Sequence, residues 1–314
     1  MITFSVVIPL YNKVDTIVRT LESVQSQTYK DFEVVIVDDG SMDGGGDAAS
    51  TYRGSFPLKI VRQNNSGVSL ARNKGASESV GRYIAFLDAD DEWCPDFLLE
   101  LSRIIAKFPA AKVIGTDYAC NVNHKIISGM DRDIIEEIDM FNEWPLRNPV
   151  NSSTVAIRRD FFIESGGFNG KFRYYEDAEL LFRLALQTRF CVSRRVLCQY
   201  NTDALHRATG IRHDQCANPH WKMAESLIKK GEAPYSLRKC VVADLGKIVL
   251  GHAMRLNSKQ IKRIATAYPC IFRNIFMSRA LKSKFGLFIL YPYIIGVSII
   301  VRMRIRSKIC IGKI

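Results

Sequence analysis

Short apolar segments alternate with helix-like segments over the first quarter of this 314-residue chain. Residues 4–8, 32–37, 58–61 and 83–87 have the apolar, β-branched composition of buried strands, and helical spacing fills the intervals between them. Pro9 is expected to end the first strand. Strands that alternate with helices at this spacing build βαβ units with right-handed crossovers. The sequence therefore predicts an α/β fold, with a mixed, mostly parallel sheet flanked by helices.

Polar residues follow three of these predicted strands at the point where each strand ends. Tyr11 and Asn12 follow the first strand, Asp38 and Asp39 follow the second, and residues 88–91 follow the fourth. Ligands of parallel sheets bind beyond the carboxyl ends of the strands. We therefore expect the three clusters to share one crevice.

The last of these clusters is an acidic turn with the sequence DADDE at residues 88–92. Carboxylates are costly to bury alone, so the turn implies a bound cation, a basic partner or open solvent. Residues two apart on an extended chain point the same way, so Asp88 and Asp90 can converge on one ligand. Oxygen ligands favour Mg²⁺ or Mn²⁺, which often bridge to substrate phosphates. The alternative is a solvated turn that caps a helix beginning near Pro95.

Two common phosphate-binding motifs are missing from the sequence. PLYNK follows the first strand in place of GxGxxG, and no GxxxxGK[ST] segment occurs. A crevice without such a backbone cradle has to hold a diphosphate by another means. The acidic turn, through a metal ion, offers that means.

Five segments together resemble the family 2 inverting glycosyltransferases of the GT-A fold. Four of them, SVVIPLYNK, EVVIVDDGSMDG, NNSGVSLARNKG and YIAFLDADDEW, occur in this order within residues 5–93. The fifth, GGFNGKFRYYEDAELLFRLA, covers residues 166–185. The resemblance extends to about Tyr200 and implies a GT-A, Rossmann-like domain that uses a UDP-sugar.

The resemblance also implies how the nucleotide is bound. Pro9, Tyr11 and Asp39 match the family positions that hold the base, and Arg72 matches an arginine near the nucleotide. Asp88 is expected near the ribose. A carboxylate at the base would select uracil, because its N3 carries a hydrogen-bond donor.

The remaining roles implied by the resemblance are metal binding and general base catalysis. Asp90 is expected to bind Mn²⁺ or Mg²⁺, with Asp88 as a second ligand and His206 as a further candidate. A surface histidine on a loop is the alternative for His206. Asp177, with Glu176 beside it, would remove the proton of the acceptor hydroxyl. The same two carboxylates also suit the start of a helix, where they interact favourably with its dipole.

The carboxyl-terminal third differs from the rest in charge. Residues 222–314 carry 19 Lys and Arg against 3 Asp and Glu. Since the whole chain has a net charge of +12, its positive charge is concentrated in this part. Residues 285–301 form an uncharged segment of 17 residues between basic flanks. At ~1.5 Å per residue the segment is about 26 Å long, which favours a re-entrant or interfacial element over a true span. A buried core helix is the alternative.

These observations predict two domains. Residues 1–218 would form the transferase domain, with a nucleotide-binding half (1–93) and an acceptor half (94–218), and residues 219–314 a basic helical appendage. Residues 131–149 are expected to be irregular, and Trp144 within them could stack on a sugar or belong to the core. Eight cysteines without a CxxC pair, and no early signal peptide, favour a reducing compartment.

The predicted function is transfer of a hexosyl residue from a UDP-sugar to a lipid-linked (polyprenyl diphosphate) saccharide in O-antigen or capsule-type polysaccharide synthesis. The predicted location is the cytoplasmic face of the inner membrane, peripheral or monotopic, on an anionic lipid surface and without nucleic acid as a partner. Two other functions remain open at this stage. One is a phosphatase that uses the Asp-x-Asp pair, and the other is a non-catalytic membrane-binding module with a degenerate transferase fold.

Overall fold

The computed structural model describes most of the chain. The described residues are 2–122, 125–128, 131–145, 147–201, 214–254 and 257–274. His206 and the uncharged segment 285–301 lie outside them.

The chain divides into two compact units. The first comprises residues 1–140 and 149–212, and the second residues 141–148 and 213–314. This division places residues 141–148 with the carboxyl-terminal helices, whereas the sequence-based division kept them in the first domain.

All the described strands lie in the first unit. They are β1 (Phe4–Leu10), β2 (Phe32–Asp38), β3 (Leu58–Arg62), β4 (Tyr83–Phe86), β5 (Glu92–Trp93), β6 (Val113–Val122), β7 (Lys125–Ser128), β8 (Ile135–Ile138), β9 (Val155–Arg158) and β10 (Phe190–Asn201). The helices before residue 213 are α1 (Val14–Gln25), α2 (Gly45–Thr51), α3 (Val68–Ser77), α4 (Phe97–Lys107), α5 (Met140–Glu143), α6 (Arg159–Glu164) and α7 (Glu176–Ala185).

The strands form one mixed sheet in the order β3-β2-β1-β4-β9-β6-β10-β5, with β7 beside β6 and β8 beside β10. β3, β2, β1 and β4 are parallel, and so are β6 and β10. β9 is antiparallel to both of its neighbours and joins the two parallel parts. The predicted α/β fold with a mixed sheet and flanking helices is confirmed.

The expectation that Pro9 ends the first strand is wrong. β1 continues to Leu10, and Pro9 lies opposite Val37 in the register of β2. The backbone of Val7, two residues earlier, faces β4, because its carbonyl accepts a hydrogen bond from Leu87. Pro9 therefore also faces β4, but it lies beyond the last paired residues of β1 and β4. Its missing N–H costs no hydrogen bond at that position.

The expectation of an irregular segment at residues 131–149 is also wrong in part. β8 lies within it and pairs antiparallel with β10, and α5 follows directly. The sequence IEEI of β8 gives little alternation by itself, so the strand is defined mainly by its partner.

The described part of the second unit after residue 213 contains a short 3₁₀ helix (Gln215–Ala217) and four α-helices: α8 (Pro219–Lys230), α9 (Tyr235–Met254), α10 (Ser258–Ala267) and α11 (Pro269–Asn274). Trp221 is buried among them, with its ring 5.6 Å from Tyr268 and its indole N–H 3.0 Å from Asp244 Oδ2. Trp144 is partly buried in the same unit and lies edge-on to His220, 5.8 Å away. None of the helices described here has the length and apolar character needed to cross a membrane.

Candidate active site at the carboxyl end of the parallel strands

The loop after β1 is fastened to the loop after β2. Asn12 has a positive φ of 51°, and its backbone N–H donates to Ser41 Oγ at 3.1 Å. The side-chain oxygen of Asn12 accepts from the backbone of Met42 at 2.9 Å. Pro9 is buried in β1, whereas Tyr11 is 42% exposed, so its ring is open to a ligand.

Asp39, at the end of β2, is buried and organises the loop that leads into α3. Its Oδ1 accepts hydrogen bonds from Gln63 Nε2 and the Ser66 backbone, and its Oδ2 from the Gly67 backbone, each at 2.8 Å. A carboxylate has about four acceptor positions. One position therefore remains for a donor such as the N–H of a base, and that role of Asp39 stays a prediction.

Helix α1 holds the acidic turn through three consecutive backbone carbonyls. Thr16 Oγ1 donates to Ala89 at 2.7 Å, Arg19 Nη2 to Asp90 at 3.3 Å, and Thr20 Oγ1 to Asp91 at 2.9 Å. The spacing of 16, 19 and 20 places the three side chains on one face of the helix. Residues 89–91 of the acidic turn are thus bound to one face of α1.

Both predicted metal ligands have basic partners in the structure. Asp90 Oδ2 lies 2.8 Å from Lys13 Nζ. Asp88 Oδ1 lies 2.6 Å from Arg72 Nη2, and Asp88 Oδ2 accepts from Ser152 Oγ at 3.0 Å. Of the three possibilities that the sequence left open, the basic partner is therefore present for each carboxylate.

The residues present fit a hard divalent cation. Among the described residues, Asp90 Oδ1 has no hydrogen-bond partner, so this carboxylate oxygen is available. The described part of the chain contains no group of three or more His, Cys, Asp or Glu able to hold a metal. Mg²⁺ commonly binds through one or two carboxylates together with substrate phosphates. The predicted Mn²⁺ or Mg²⁺ would be held in that manner by Asp90, with Asp88 beside it.

Arg72, from α3, connects the acidic turn with the predicted base. Its side chain is 3% exposed, and its Nη1 donates to Glu176 Oε1 at 3.0 Å while Nη2 holds Asp88. The guanidinium carbon also lies 5.1 Å from the ring centre of Phe168. Burial alone would lower the pKa of Arg72, but the two carboxylates raise it overall, so the guanidinium remains charged. Arg72 lies between the two carboxylates and connects them by hydrogen bonds.

Asn73, which the sequence analysis did not single out, fixes the segment before α7. Its side-chain amide donates to the carbonyl of Phe168 and accepts from the N–H of Phe168, both at 2.8 Å. Gly167 has a φ of 61°, and a Cβ there would lie 2.6 Å from Asn73 Oδ1. Asn73 belongs to the SLARN motif, so its place in that motif was the sequence feature that could have identified it.

Glu176 and Asp177 stand at the first turn of α7. Tyr175, just before them, has a positive φ of 60°, and its own side chain does not cap the helix. Asp177 Oδ1 accepts from the backbone of Ala178 at 2.7 Å. Burial raises the pKa of Glu176 and of Asp177, and the Arg72 guanidinium opposes that rise in both. Glu176 and Asp177 thus lie at a helix start and also have the raised pKa that suits a general base.

Asp91 is fully buried and links three parts of the first unit. Its Oδ2 accepts from Ser153 Oγ at 2.5 Å, and its Oδ1 from the Asn201 backbone, at the end of β10, at 3.0 Å. The carbonyl of Ser153 in turn accepts from Trp93 Nε1 at 2.7 Å. Burial raises the pKa of Asp91 well above its usual range, and the nearby carboxylates act in the same direction. The sequence analysis counted Asp91 only as part of the cluster and missed this anchoring role.

Comparison with known proteins agrees with this geometry. The family model described as "Glycosyl transferase family 2" matches residues 5–166. The chain is 42% identical over 92 residues to the uncharacterized glycosyltransferase YibD of Escherichia coli, which covers 29% of this chain and 27% of YibD. It is 39% identical over 113 residues to the amylovoran biosynthesis glycosyltransferase AmsB of Erwinia amylovora, covering 34% of this chain and 36% of AmsB. The chain thus aligns with about a third of the length of each relative.

The crystal structure of S. aureus TarS 1-349 in complex with UDP-GlcNAc is similar over 93% of this chain and 90% of that chain. The TM-score is 0.75 at 16% sequence identity. At this identity the likeness establishes the fold, and it confirms the predicted GT-A architecture.

We predict that Asp91→Ala destabilises the first unit by at least ~2 kcal/mol, because Ser153 Oγ and the Asn201 N–H lose their buried acceptor. Asp91→Asn keeps one acceptor and can donate to Ser153, so it should cost about 1 kcal/mol. Urea unfolding followed by fluorescence measures both.

Glu164→Ala is the control for this pair, since Glu164 is an exposed carboxylate at the end of α6 for which the described residues provide no hydrogen bond or ion pair. It should change stability by no more than ~0.5 kcal/mol. Equal losses for Asp91→Ala and Glu164→Ala would show that the Asp91 network has no stabilising role.

Proposed function

The chain belongs to glycosyl transferase family 2, and from this we propose that it transfers a hexosyl residue from a UDP-sugar to a lipid-linked saccharide, with inversion at the anomeric carbon. The observation that carries the proposal is the bridge made by Arg72. It joins Asp88 of the acidic turn at 2.6 Å to Glu176 of the predicted base pair at 3.0 Å. The proposed donor site and the proposed site of proton removal are therefore connected through one side chain.

In the proposed donor complex, the ring of Tyr11 stacks on the base and the remaining acceptor position of Asp39 receives the N3–H of uracil. Pro9 lies below the base-binding residues, and Asp88 contacts the ribose. S. aureus TarS, which shares the fold, has been crystallised with UDP-GlcNAc. A cation held by Asp90 would supply Lewis-acid stabilisation to the charge of the leaving diphosphate.

In the proposed reaction, Asp177 accepts the proton of an acceptor hydroxyl. The hydroxyl oxygen forms a bond to C1 of the sugar while the bond from C1 to the diphosphate oxygen breaks, and UDP leaves with that electron pair. The proton passes from Asp177 to solvent after product release. Attack from the face opposite UDP inverts the configuration at C1. Glu176, paired with Arg72, positions the base.

The two other functions considered from the sequence are disfavoured. Membership of a glycosyltransferase family argues against a phosphatase, whose Asp-x-Asp pair also usually follows the first strand and not the fourth. A degenerate, non-catalytic fold is disfavoured because the four carboxylates at the family motif positions, Asp39, Asp88, Asp90 and Asp177, are all present.

The donor and the metal are tested together with purified protein. We expect one UDP-sugar from a donor panel to be hydrolysed slowly in the presence of Mn²⁺ or Mg²⁺ and not in EDTA. Asp90→Asn should lower kcat/KM by at least ~100-fold, since Lewis-acid stabilisation contributes several kcal/mol. Full activity in EDTA, or in Asp90→Asn, would exclude the metal assignment.

The general base is tested by Asp177→Asn. Transfer should fall by about 10²–10⁴-fold, whereas the affinity for UDP should stay within a few fold, because Asp177 acts on the acceptor. Because burial raises the pKa of Asp177, the acid limb of kcat/KM should lie above the ~3.9 of an ordinary aspartate, with activity lost as the pH falls through it.

Glu176→Gln is the control for this assignment. It should retain more activity than Asp177→Asn and should shift the acid limb, because it changes a charge beside the base. The reverse order of the two activities would identify Glu176 as the base. Loss of UDP binding in both variants would point to a structural helix cap instead.

The lipid-linked acceptor and the membrane surface are proposed from charge. Residues 222–314 hold 19 Lys and Arg against 3 Asp and Glu, and each basic residue near anionic lipid contributes ~1 kcal/mol. The uncharged segment 285–301, outside the described residues, would add apolar binding that salt does not screen. An acceptor whose sugar lies at the headgroups would then be near the enzyme.

Truncation after Ser283 tests the membrane proposal. The shortened protein should no longer float with anionic vesicles, yet should bind UDP like the full chain. Transfer to long-chain lipid acceptors should fall more than transfer to short soluble analogues. The proposal is wrong if the full chain is released from vesicles by salt alone, or if the truncated protein floats equally well.

A further inference from the structure

Lys13 supplies a positive charge at the carboxylate of Asp90, which is expected to bind a cation. Its Nζ lies 2.8 Å from Asp90 Oδ2, and the side chains of Lys13 and Asp90 are only 15% and 13% exposed. A charged pair so far removed from solvent is held in place more firmly than a surface pair. The roles derived above for donor binding and proton transfer make no use of Lys13.

The backbone of Lys13 is fixed from both sides. Asn12, which precedes it, is bound to the loop after β2 through Ser41 and Met42. The carbonyl of Lys13 accepts the N–H of Ile17 at 2.9 Å in the first turn of α1. Thr16, in this first turn of α1, donates a hydrogen bond to the acidic turn. The ammonium group is therefore carried by a flexible four-carbon chain on a rigid base.

We propose that Lys13 is a diphosphate-binding residue that exchanges partners. Without a cation it neutralises Asp90. When a divalent cation binds Asp90, the ammonium turns to the diphosphate of the nucleotide donor. Two cations on one carboxylate repel each other, and an ammonium with three donors binds phosphate oxygens as a point charge. The inference rests on the proposed function, because it takes the ligand to be a nucleoside diphosphate.

Lys13→Met should change the two affinities in opposite directions. Mn²⁺ alone should bind about fivefold more tightly, because the competing charge at Asp90 is gone. UDP in saturating Mn²⁺ should bind about tenfold more weakly, since the charge-assisted hydrogen bond from Lys13 to the diphosphate is lost. Titration calorimetry of the full chain with Mn²⁺ and with UDP measures both. A purely structural role for Lys13 would not strengthen Mn²⁺ binding.

Two control variants separate this role from a general loss of charge. Lys30→Met removes the same charge, but Lys30 is exposed and its ammonium donates to the backbone carbonyl of Gln25, at the far end of α1 from the acidic turn. It should leave both affinities within about twofold. Lys13→Arg keeps the charge and should retain weak Mn²⁺ binding and tight UDP binding.

Each result decides the inference. Tighter Mn²⁺ binding together with weaker UDP binding in Lys13→Met, and neither change in Lys30→Met, supports it. If the unmodified protein binds UDP but Lys13→Met binds Mn²⁺ and UDP as before, the role of Lys13 is wrong and the proposed function stands. If the unmodified protein does not bind UDP, both are wrong.

Discussion

The buried guanidinium of Arg72 holds the two parts of the candidate site together. Asp88 and Glu176 are far apart in the sequence, and both are hydrogen-bonded to this one side chain. A buried charge is tolerated only when it is well paired, and removing one partner leaves the others uncompensated. The acidic turn and the start of α7 are consequently fixed relative to each other. Phe168, which packs against the guanidinium, places the segment before α7 in the same arrangement.

Charge balance explains the chemistry that this arrangement supports. Carboxyl groups outnumber the basic groups near them. Asp90 pairs with Lys13, and Asp88 and Glu176 pair with Arg72, whereas Asp91 and Asp177 accept hydrogen bonds from uncharged donors. Burial together with this excess of negative charge raises the pKa of Asp91, Glu176 and Asp177. The same excess favours the proposed divalent cation. The proposed metal binding at one end of the site and the proposed proton acceptance at the other would thus have a common electrostatic origin.

Local sequence patterns were sufficient for the parallel half of the sheet, and insufficient where pairing decided the structure. Four apolar segments at regular intervals predicted the strands before residue 90, because β1, β2 and β4 are almost entirely buried and β3, which is only partly buried, is short and mostly apolar. β8 and the continuation of β1 through Pro9 were not predicted, because both depend on the neighbouring strand. For Pro9, the orientation of its missing N–H could be known only from the position of β4.

For the site, the sequence by itself determined which chemistry is present: an acidic turn after a buried strand, a second carboxylate pair at a helix start, and the family motifs that connect them. The tertiary structure alone decided how the charges are paired. Lys13, Arg72 and Asp91 have no local pattern that assigns their partners, since those partners are brought near by the sheet and by α1. Pairing depends on distances of a few ångströms between distant segments, and such distances are a property of the packed fold.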